Sequence, residues 1–207
     1  GELATLAKER VWQETQKALS SQSPWIYFEV LEVCGALHRL MPALTELLAR
    51  RPQALNTLRL TSAASTRTEV RFTGVLYQLN KPQIEDLAKQ IKLPNQHKAL
   101  ALATSNHQRQ LRAYTELEAA QKHLLLSNLG LMRHTELLDD LLCLCQAITQ
   151  TQEPLFGWQS PKQTMLDDLE RIHAVKPASL MAQGFKGKAL GEALKAAQIE
   201  CLSRSKT

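Results

Sequence analysis

Residues 97–150 read HKALALATSNHQRQLRAYTELEAAQKHLLLSNLGLMRHTELLDDLLCLCQAITQ. The stretch holds no proline and a single glycine, Gly130, so little in it would interrupt a helix. Its leucines recur at intervals of three and four residues, which places apolar side chains on one helical face. The spacing predicts three helices. Their predicted core residues are Leu111, Leu117, Leu124, Leu125, Leu129, Leu137, Leu138, Leu141, Leu142 and Ile148.

The segments on either side of this stretch favour helices too. The first helix is predicted to bury one face made of Val11, Trp12, Thr15, Ala18 and Leu19. The nearest approach to a strand, VRFTGVLY at residues 70–77, is short and does not alternate. The predicted fold class is therefore all-α.

The best candidate boundary is a linker of about ten residues at 152–161, which contains Pro154 and Gly157. Helices are predicted beyond it at 162–173, 177–182 and 189–204. There is no run of about 18 apolar residues and no leader sequence, so we expect no membrane segment and a cytoplasmic location. The chain does not begin with Met, and we interpret it as a fragment of a longer protein.

The net positive charge of the chain comes entirely from its last 37 residues, because the basic and acidic residues before them balance. The formal net charge is +5, and the last 37 residues carry seven basic residues against two acidic ones. The basic residues are Arg171, Lys176, Lys186, Lys188, Lys195, Arg204 and Lys206. This distribution predicts that any surface for a polyanion lies in the C-terminal segment.

The sequence Gly184-Phe185-Lys186-Gly187-Lys188 precedes the last predicted helix. Glycines let the backbone approach a ligand closely, and a helix N-terminus presents free N–H groups with a partial positive charge. Two interpretations stay open. The segment binds an RNA backbone, or it is an ordinary turn with Phe185 in the core and solvated lysines.

No pattern in the chain predicts catalysis or metal binding. Phosphate-binding loops, zinc motifs and nucleophile motifs are absent from the sequence. The four cysteines are predicted to be reduced thiols packed as small apolar groups. The pairs Asp139–Asp140 and Asp167–Asp168 diverge on a helix, so for each pair we expect a solvated or N-terminal helical turn rather than a metal site.

Three segments carry a resemblance to a known family. They are ERVWQETQKAL at 9–19, YFEVLEVCGALHRLMPAL at 27–44 and GFKGKALGEALKAAQI at 184–199. Together they resemble the C-terminal part of bacterial class II CCA-adding tRNA nucleotidyltransferases. The related poly(A) polymerases share the N-terminal motifs more loosely. The resemblance implies an elongated helical array, with neck helices at 1–52, a body at 53–151 and a basic tail at 162–207.

The sequence departs from the family pattern in one strip of the body. The enterobacterial-type enzymes of this family carry an HD phosphohydrolase site in a strip similar to V-R-F-x-x-L-C-H-D-L-G-K. Here the strip reads VRFTGVLYQLNK, so Tyr77 and Gln78 stand in place of the His-Asp pair. His107 resembles a remnant of the later histidines. The body therefore resembles a degenerate HD region, and we expect no phosphohydrolase activity.

The resemblance implies a division of labour between this chain and a missing N-terminal head. The head would bind Mg²⁺ with CTP and ATP, whereas this chain carries no cofactor and binds tRNA to support 3′-CCA addition. The residues predicted to contact RNA are Lys186, Lys188, Lys195, Arg171, Arg204, Gly184 and Gly187. Arg10 and Glu14 are predicted to contact the head. The alternatives are the RNA-binding region of a poly(A) polymerase and a non-catalytic helical scaffold for protein contacts.

Overall fold

The computed structural model describes residues 2–155 and 157–204, with side chains described from Ala7 onward. These residues form α-helices and three short 3₁₀ turns and contain no β-strand, which confirms the all-α prediction. The helices are α1 (Glu2–Leu19), α2 (Trp25–Val33), α3 (Ala36–Leu40), α4 (Pro42–Arg50), α5 (Asn56–Ala64), α6 (Thr68–Leu76), α7 (Lys81–Gln90), α8 (Asn95–Arg112), α9 (Ala119–Asn128), α10 (Leu138–Gln152), α11 (Lys162–Ala174), α12 (Pro177–Ala182) and α13 (Gly187–Ser203). None of them is both long and apolar enough to cross a membrane.

The chain divides into two compact units, each made of two segments. The first unit comprises residues 1–108 and 140–158, and the second comprises 109–139 and 159–207. The boundaries between neck, body and tail stay a prediction.

The core of the first unit is built around three aromatic rings. Phe28 of α2 stacks on Phe72 of α6 with ring centroids 5.8 Å apart, and Trp12 of α1 lies 6.2 Å from Phe72. All three side chains are buried, as the helical spacing predicts for Trp12. Aromatic burial of this kind contributes a large share of the hydrophobic stabilisation. It fixes α1 and α2 on α6.

Arg71 of α6 is buried and binds the ends of two other helices. Its guanidinium donates hydrogen bonds to the backbone carbonyls of Leu19 (2.7 Å) and Ser21 (2.9 Å) after α1. It also donates to the carbonyls of Ser65 (2.6 Å) and Ser62 (3.2 Å) at the end of α5. The last carbonyls of a helix have no partner within the helix and carry partial negative charge. Arg71 therefore caps α1 and α5 at the same time.

The second unit packs α13 against α9, α11 and α12. Its buried apolar side chains come from every long helix in the unit. They include Leu125, Leu126 and Leu129 near α9, Met165, Leu169 and Ile172 of α11, and Leu202 of α13. Leu180 of α12 and Leu190 and Leu194 of α13 are half-buried. This packing positions the N-terminus of α13.

Three expectations from the sequence are wrong. Leu124, predicted to lie in the core, has 53% of its surface exposed because α9 turns that side chain to solvent. Asp168 is buried in the middle of α11 beside Lys122, rather than in a solvated or N-terminal turn, whereas Asp139 and Asp140 do lie in the first turn of α10. Cys34 is exposed rather than packed, although all four cysteines are free as expected.

Candidate nucleic-acid interface

The turn between α12 and α13 is a Schellman motif centred on Gly184. The N–H of Gly184 donates to the carbonyl of Met181 (3.0 Å), and that of Phe185 donates to the carbonyl of Leu180 (3.2 Å). Gly184 has φ = 94°, in the region that disfavours residues with a Cβ. A Cβ at Gly184 would meet no atom within 4 Å, so the backbone conformation alone requires glycine. The turn sets the direction in which α13 begins.

The N-terminus of α13 lacks the features that usually neutralise a helix start. Lys186 occupies the N-cap position with an extended backbone, and its side chain makes no capping hydrogen bond. The first turn of α13 contains no acidic residue. Gly187 follows with φ = 54°. The first backbone N–H groups therefore carry the positive end of the helix dipole, beside the formal charges of Lys186 and Lys188.

Lys186, Lys188 and Lys195 are all exposed. Lys188 and Lys195 are seven residues apart, which places them on the same face of α13, separated by about 10 Å along its axis. The Nζ atom of Lys188 lies 3.7 Å from Oε1 of Glu192, but both side chains are largely exposed, and such pairs are weak. These three lysines at the start and on one face of α13 are called the α13 basic face below.

The two predicted arginine contacts differ from the lysines in their surroundings. Nη1 of Arg171 lies 3.3 Å from Oδ1 of the buried Asp168, and Nη2 of Arg204 lies 2.6 Å from Oε1 of Glu200. Arg204 is also roughly 160° around the helix axis from Lys188. The α13 basic face therefore does not include either arginine. Lys206 lies outside the described residues.

Two apolar side chains are exposed in and just before the same turn. Phe185 has 38% and Met181 has 56% of its surface exposed. The structure thus places Phe185 beside the lysines, only partly in the core. An exposed aromatic ring between basic residues can stack on a nucleic-acid base.

The same unit contains a buried ionic network that the sequence did not predict. Oδ2 of Asp168 lies 3.1 Å from Nζ of Lys122 and accepts a hydrogen bond of 3.0 Å from the hydroxyl of Tyr114. Nζ of Lys122 also lies 5.0 Å from the centroid of the Tyr114 ring. Burial, together with the charge of Asp168 and the hydrogen bond to it, raises the pKa of Tyr114, so the phenol stays protonated and donates. The network ties α9 and the 3₁₀ turn before it to α11, against which α13 packs. No local pattern indicates it, because Lys122 and Asp168 are far apart in the sequence.

The predicted contacts with the head lie on the outer side of α1. Arg10 and Glu14 are both exposed, opposite the face that buries Trp12. The structure does not test their role, which stays a prediction.

The residues that replace the HD pair do not fit a divalent metal. Tyr77 is buried with its hydroxyl 3.5 Å from Oγ1 of Thr57, and Nε2 of Gln78 donates to the carbonyl of Ala54 at 3.1 Å. Gln78 also lines a pocket of about 280 Å³ whose lining includes two arginines and no carboxylate. Across the part of the chain that the structure describes, no group of three or more potential ligands from His, Cys, Asp and Glu comes together. Sites for hard divalent cations are built mainly from carboxylate oxygens, whereas the lining of this pocket pairs neutral amides with two arginines, whose positive charge disfavours a cation.

Comparison with known proteins connects this chain to one family. Residues 1–48 match the family described as "Probable RNA and SrmB- binding site of polymerase A". The chain is 32% identical to a multifunctional CCA protein of Teredinibacter turnerae, in an alignment that covers 100% of the chain and 58% of the relative. It is 30% identical to a multifunctional CCA protein of Aliivibrio salmonicida, over 98% of the chain and 58% of the relative. A CCA-adding enzyme of Pseudomonas putida is 31% identical over 98% of the chain and 53% of the relative.

The chain thus spans a little over half the length of these relatives. No solved structure matches it significantly. The similarity extends from the first helices to the last, so both the segment at 1–48 and the α13 basic face lie within it. The chain belongs to the family of CCA-adding enzymes and poly(A) polymerases and corresponds to its C-terminal region.

Proposed function

We propose that this chain is the tRNA-binding region of a CCA-adding nucleotidyltransferase. The observation that carries the proposal is the similarity to CCA-adding enzymes over the whole length of the chain. The Schellman turn and the uncapped start of α13 support it, because they expose positive charge where the excess charge of the sequence lies. The catalytic step belongs to a head that precedes this region in the longer protein.

The proposed contact is with the sugar-phosphate backbone of a folded RNA. Double-stranded RNA is recognised mainly by its shape and its phosphates, for which lysine side chains and helix N-termini are suited. Lys186 and Lys188 flank the entrance of α13, and Lys195 extends the same charge along the helix. Gly184 and Gly187 let the backbone come close, and Phe185 stacks on an accessible base. Arg171 and Arg204 contribute at longer range, since Arg171 is paired with the buried Asp168 and Arg204 lies on another side of α13 from Lys188.

In the longer protein the head would bind Mg²⁺ and use CTP and ATP to extend the 3′ end of tRNA. The residues of this chain hold the tRNA and take no part in the chemical step. Arg10 and Glu14 on the outer face of α1 contact the head. The protein acts in the cytoplasm, where tRNA is processed.

A second candidate function is RNA binding in a poly(A) polymerase. The description matched by residues 1–48 favours it, because it refers to polymerase A. Such a protein would prefer an unstructured strand to a folded tRNA. A third candidate, a scaffold for protein contacts alone, predicts no RNA binding at all.

Equilibrium binding of the purified chain to tRNA and to a poly(A) strand separates the three candidates. We expect tighter binding to tRNA, and binding at least about tenfold weaker in the variant Lys186→Glu/Lys188→Glu, because two charge-assisted contacts are lost. The matched control is Lys81→Glu/Lys89→Glu, which reverses two exposed lysines of α7 and changes the net charge equally. Tighter binding to poly(A) would favour the polymerase. Equal losses in both variants would contradict a localised site.

A further inference from the structure

Three large aliphatic side chains are exposed along one face of α2. Ile26, Val30 and Val33 have 49%, 57% and 90% of their surfaces accessible. Their spacing of four and three residues keeps them within a sector of roughly 60°. The opposite side of α2 is anchored in the core by Phe28, which is fully buried. Single exposed apolar residues are ordinary, but a continuous line of them on one helix face marks an interaction surface. These three residues are called the α2 stripe.

The charges on α2 indicate what kind of partner covers the stripe. The helix carries Glu29 and Glu32 and no basic residue. Glu29 borders the stripe and is paired with Arg59 at 2.7 Å, whereas Glu32 is exposed. The three aliphatic side chains offer no charge to a phosphate, and Arg59 at their border is already paired with Glu29, so the stripe is poorly suited to RNA. It suits a protein surface with an apolar centre and basic residues at its border.

We propose that the α2 stripe is the docking surface for the N-terminal head of the longer protein. This inference rests on the proposed function, which places such a head before α1. The relatives are much longer than the chain, which covers 58% of two of them, so a region of substantial size is available to cover the stripe. The position of α2 is fixed on α1, the helix that follows the head directly, by the contact of Thr15 Oγ1 with the Tyr27 hydroxyl at 3.1 Å.

The stripe would add an apolar part to the contact with the head that is expected at Arg10 and Glu14. Polar residues on the outer face of α1 orient the head, and burial of the stripe supplies hydrophobic stabilisation. In the absence of the head, the three side chains stay in water.

Thiol labelling of Val30→Cys in a Cys34→Ser background tests this proposal. Val30 is exposed, so the substitution is not expected to disturb folding. Burial raises the pKa of Cys143 and Cys201, and Cys145 is buried, so the native thiols react slowly. The rate is compared between this chain and the full-length protein. We expect labelling at least tenfold slower in the full-length protein.

The matched control places the cysteine at Leu124, which has 53% exposure on α9 of the second unit. Its labelling rate is expected to be the same in both proteins. Equal rates for the Val30→Cys thiol in the two proteins would overturn the proposal. Protection of both thiols would also overturn it, because the effect would not be specific to the stripe.

Two further labelling experiments test whether a different partner covers the stripe. Protection that grows with the concentration of this chain alone would assign the stripe to a second copy and overturn the proposal. Protection of this chain by added tRNA would assign it to RNA, with the same consequence. Binding of tRNA to the chain is measured independently, so a failed labelling test leaves the proposed function standing, and loss of tRNA binding leaves the labelling result unaffected.

Discussion

Replacing Asp168 by Asn removes the negative charge from the buried network of the second unit at nearly constant volume. Asp168 has 1% of its surface exposed, and Lys122 keeps its Nζ atom 3.1 Å away with 9% of its side chain accessible. In the variant the ammonium group stays buried without a carboxylate. Breaking a buried ion pair on one side costs about 3–5 kcal/mol, because the remaining charge has lost its solvation and its partner.

A residue-level probe is needed to measure this effect, because a chain of two units need not unfold in one step. Hydrogen exchange of the α9, α11 and α13 amides is suitable. A loss of about 3 kcal/mol would speed the exchange of the most protected amides by roughly a hundredfold. Asp167→Asn is the control. Asp167 is half-buried and accepts only a hydrogen bond from Gln163, so we expect a change within about 0.5 kcal/mol.

The double variant Lys122→Met/Asp168→Leu tests the physical reason. Replacing both partners by apolar groups of similar size is often neutral, because no charge is left buried. We therefore expect the double variant to be more stable than Asp168→Asn. Exchange in Asp168→Asn at the wild-type rate would refute the importance of the network. If the double variant lost as much stability as the two single variants together, an unpaired buried charge could not be the cause of the loss in Asp168→Asn.

Two further predictions concern the first unit. Arg71→Met leaves four carbonyls at the ends of α1 and α5 without their donor, so it should lower the free energy of unfolding, measured in urea by tryptophan fluorescence, by about 3–5 kcal/mol. The control Arg59→Met loses an exposed ion pair with Glu29 and a cation–π contact with Trp25 and should cost about 1–2 kcal/mol. Equal losses in the two variants would contradict the capping role of Arg71. Burial lowers the pKa of His97, against the opposing charge of Glu69, so the unfolded chain takes up a proton at a higher pH than the folded chain. The free energy of unfolding should therefore fall as the pH drops below about 6.5. His97→Gln should make the free energy of unfolding less dependent on pH between about pH 7.5 and 5.5. The same pH dependence in the variant and the wild type would contradict the role of His97.

Much of the fold could be predicted because it depends on local signals. Apolar side chains at helical spacing indicated the buried face of α1, and Gly35, which follows the C-cap of α2, has the left-handed φ of 72° that glycine commonly adopts there. Pro42 is the first residue of α4, a position where the missing N–H of proline costs no helical hydrogen bond. The predicted last helix begins two residues too late, because Gly187 itself forms the first turn of α13. The buried face and the ends of a helix can be predicted in this way because they depend on residues that are close together in the sequence.

The features that the sequence did not reveal depend on contacts between distant segments. Arg71 meets carbonyls about fifty residues away, and Asp168 meets Lys122 from another helix. Periodicity cannot show that Leu124 is exposed, because which face of a short helix is covered depends on its neighbours. At the candidate site the sequence indicated the glycine-flanked turn. Only the structure shows the Schellman hydrogen bonds and the separation of Arg204 from the lysines.

The central claim is that the α13 basic face holds the phosphates of a folded tRNA. The salt dependence of tRNA binding tests it most directly, because each phosphate contact made by a cation releases counterions. In a plot of log affinity against log salt concentration, Lys186→Glu/Lys188→Glu should lower the steepness by about 2. The Lys81→Glu/Lys89→Glu variant should leave it unchanged. An identical slope for the wild type and the Lys186→Glu/Lys188→Glu variant would show that the RNA is held elsewhere.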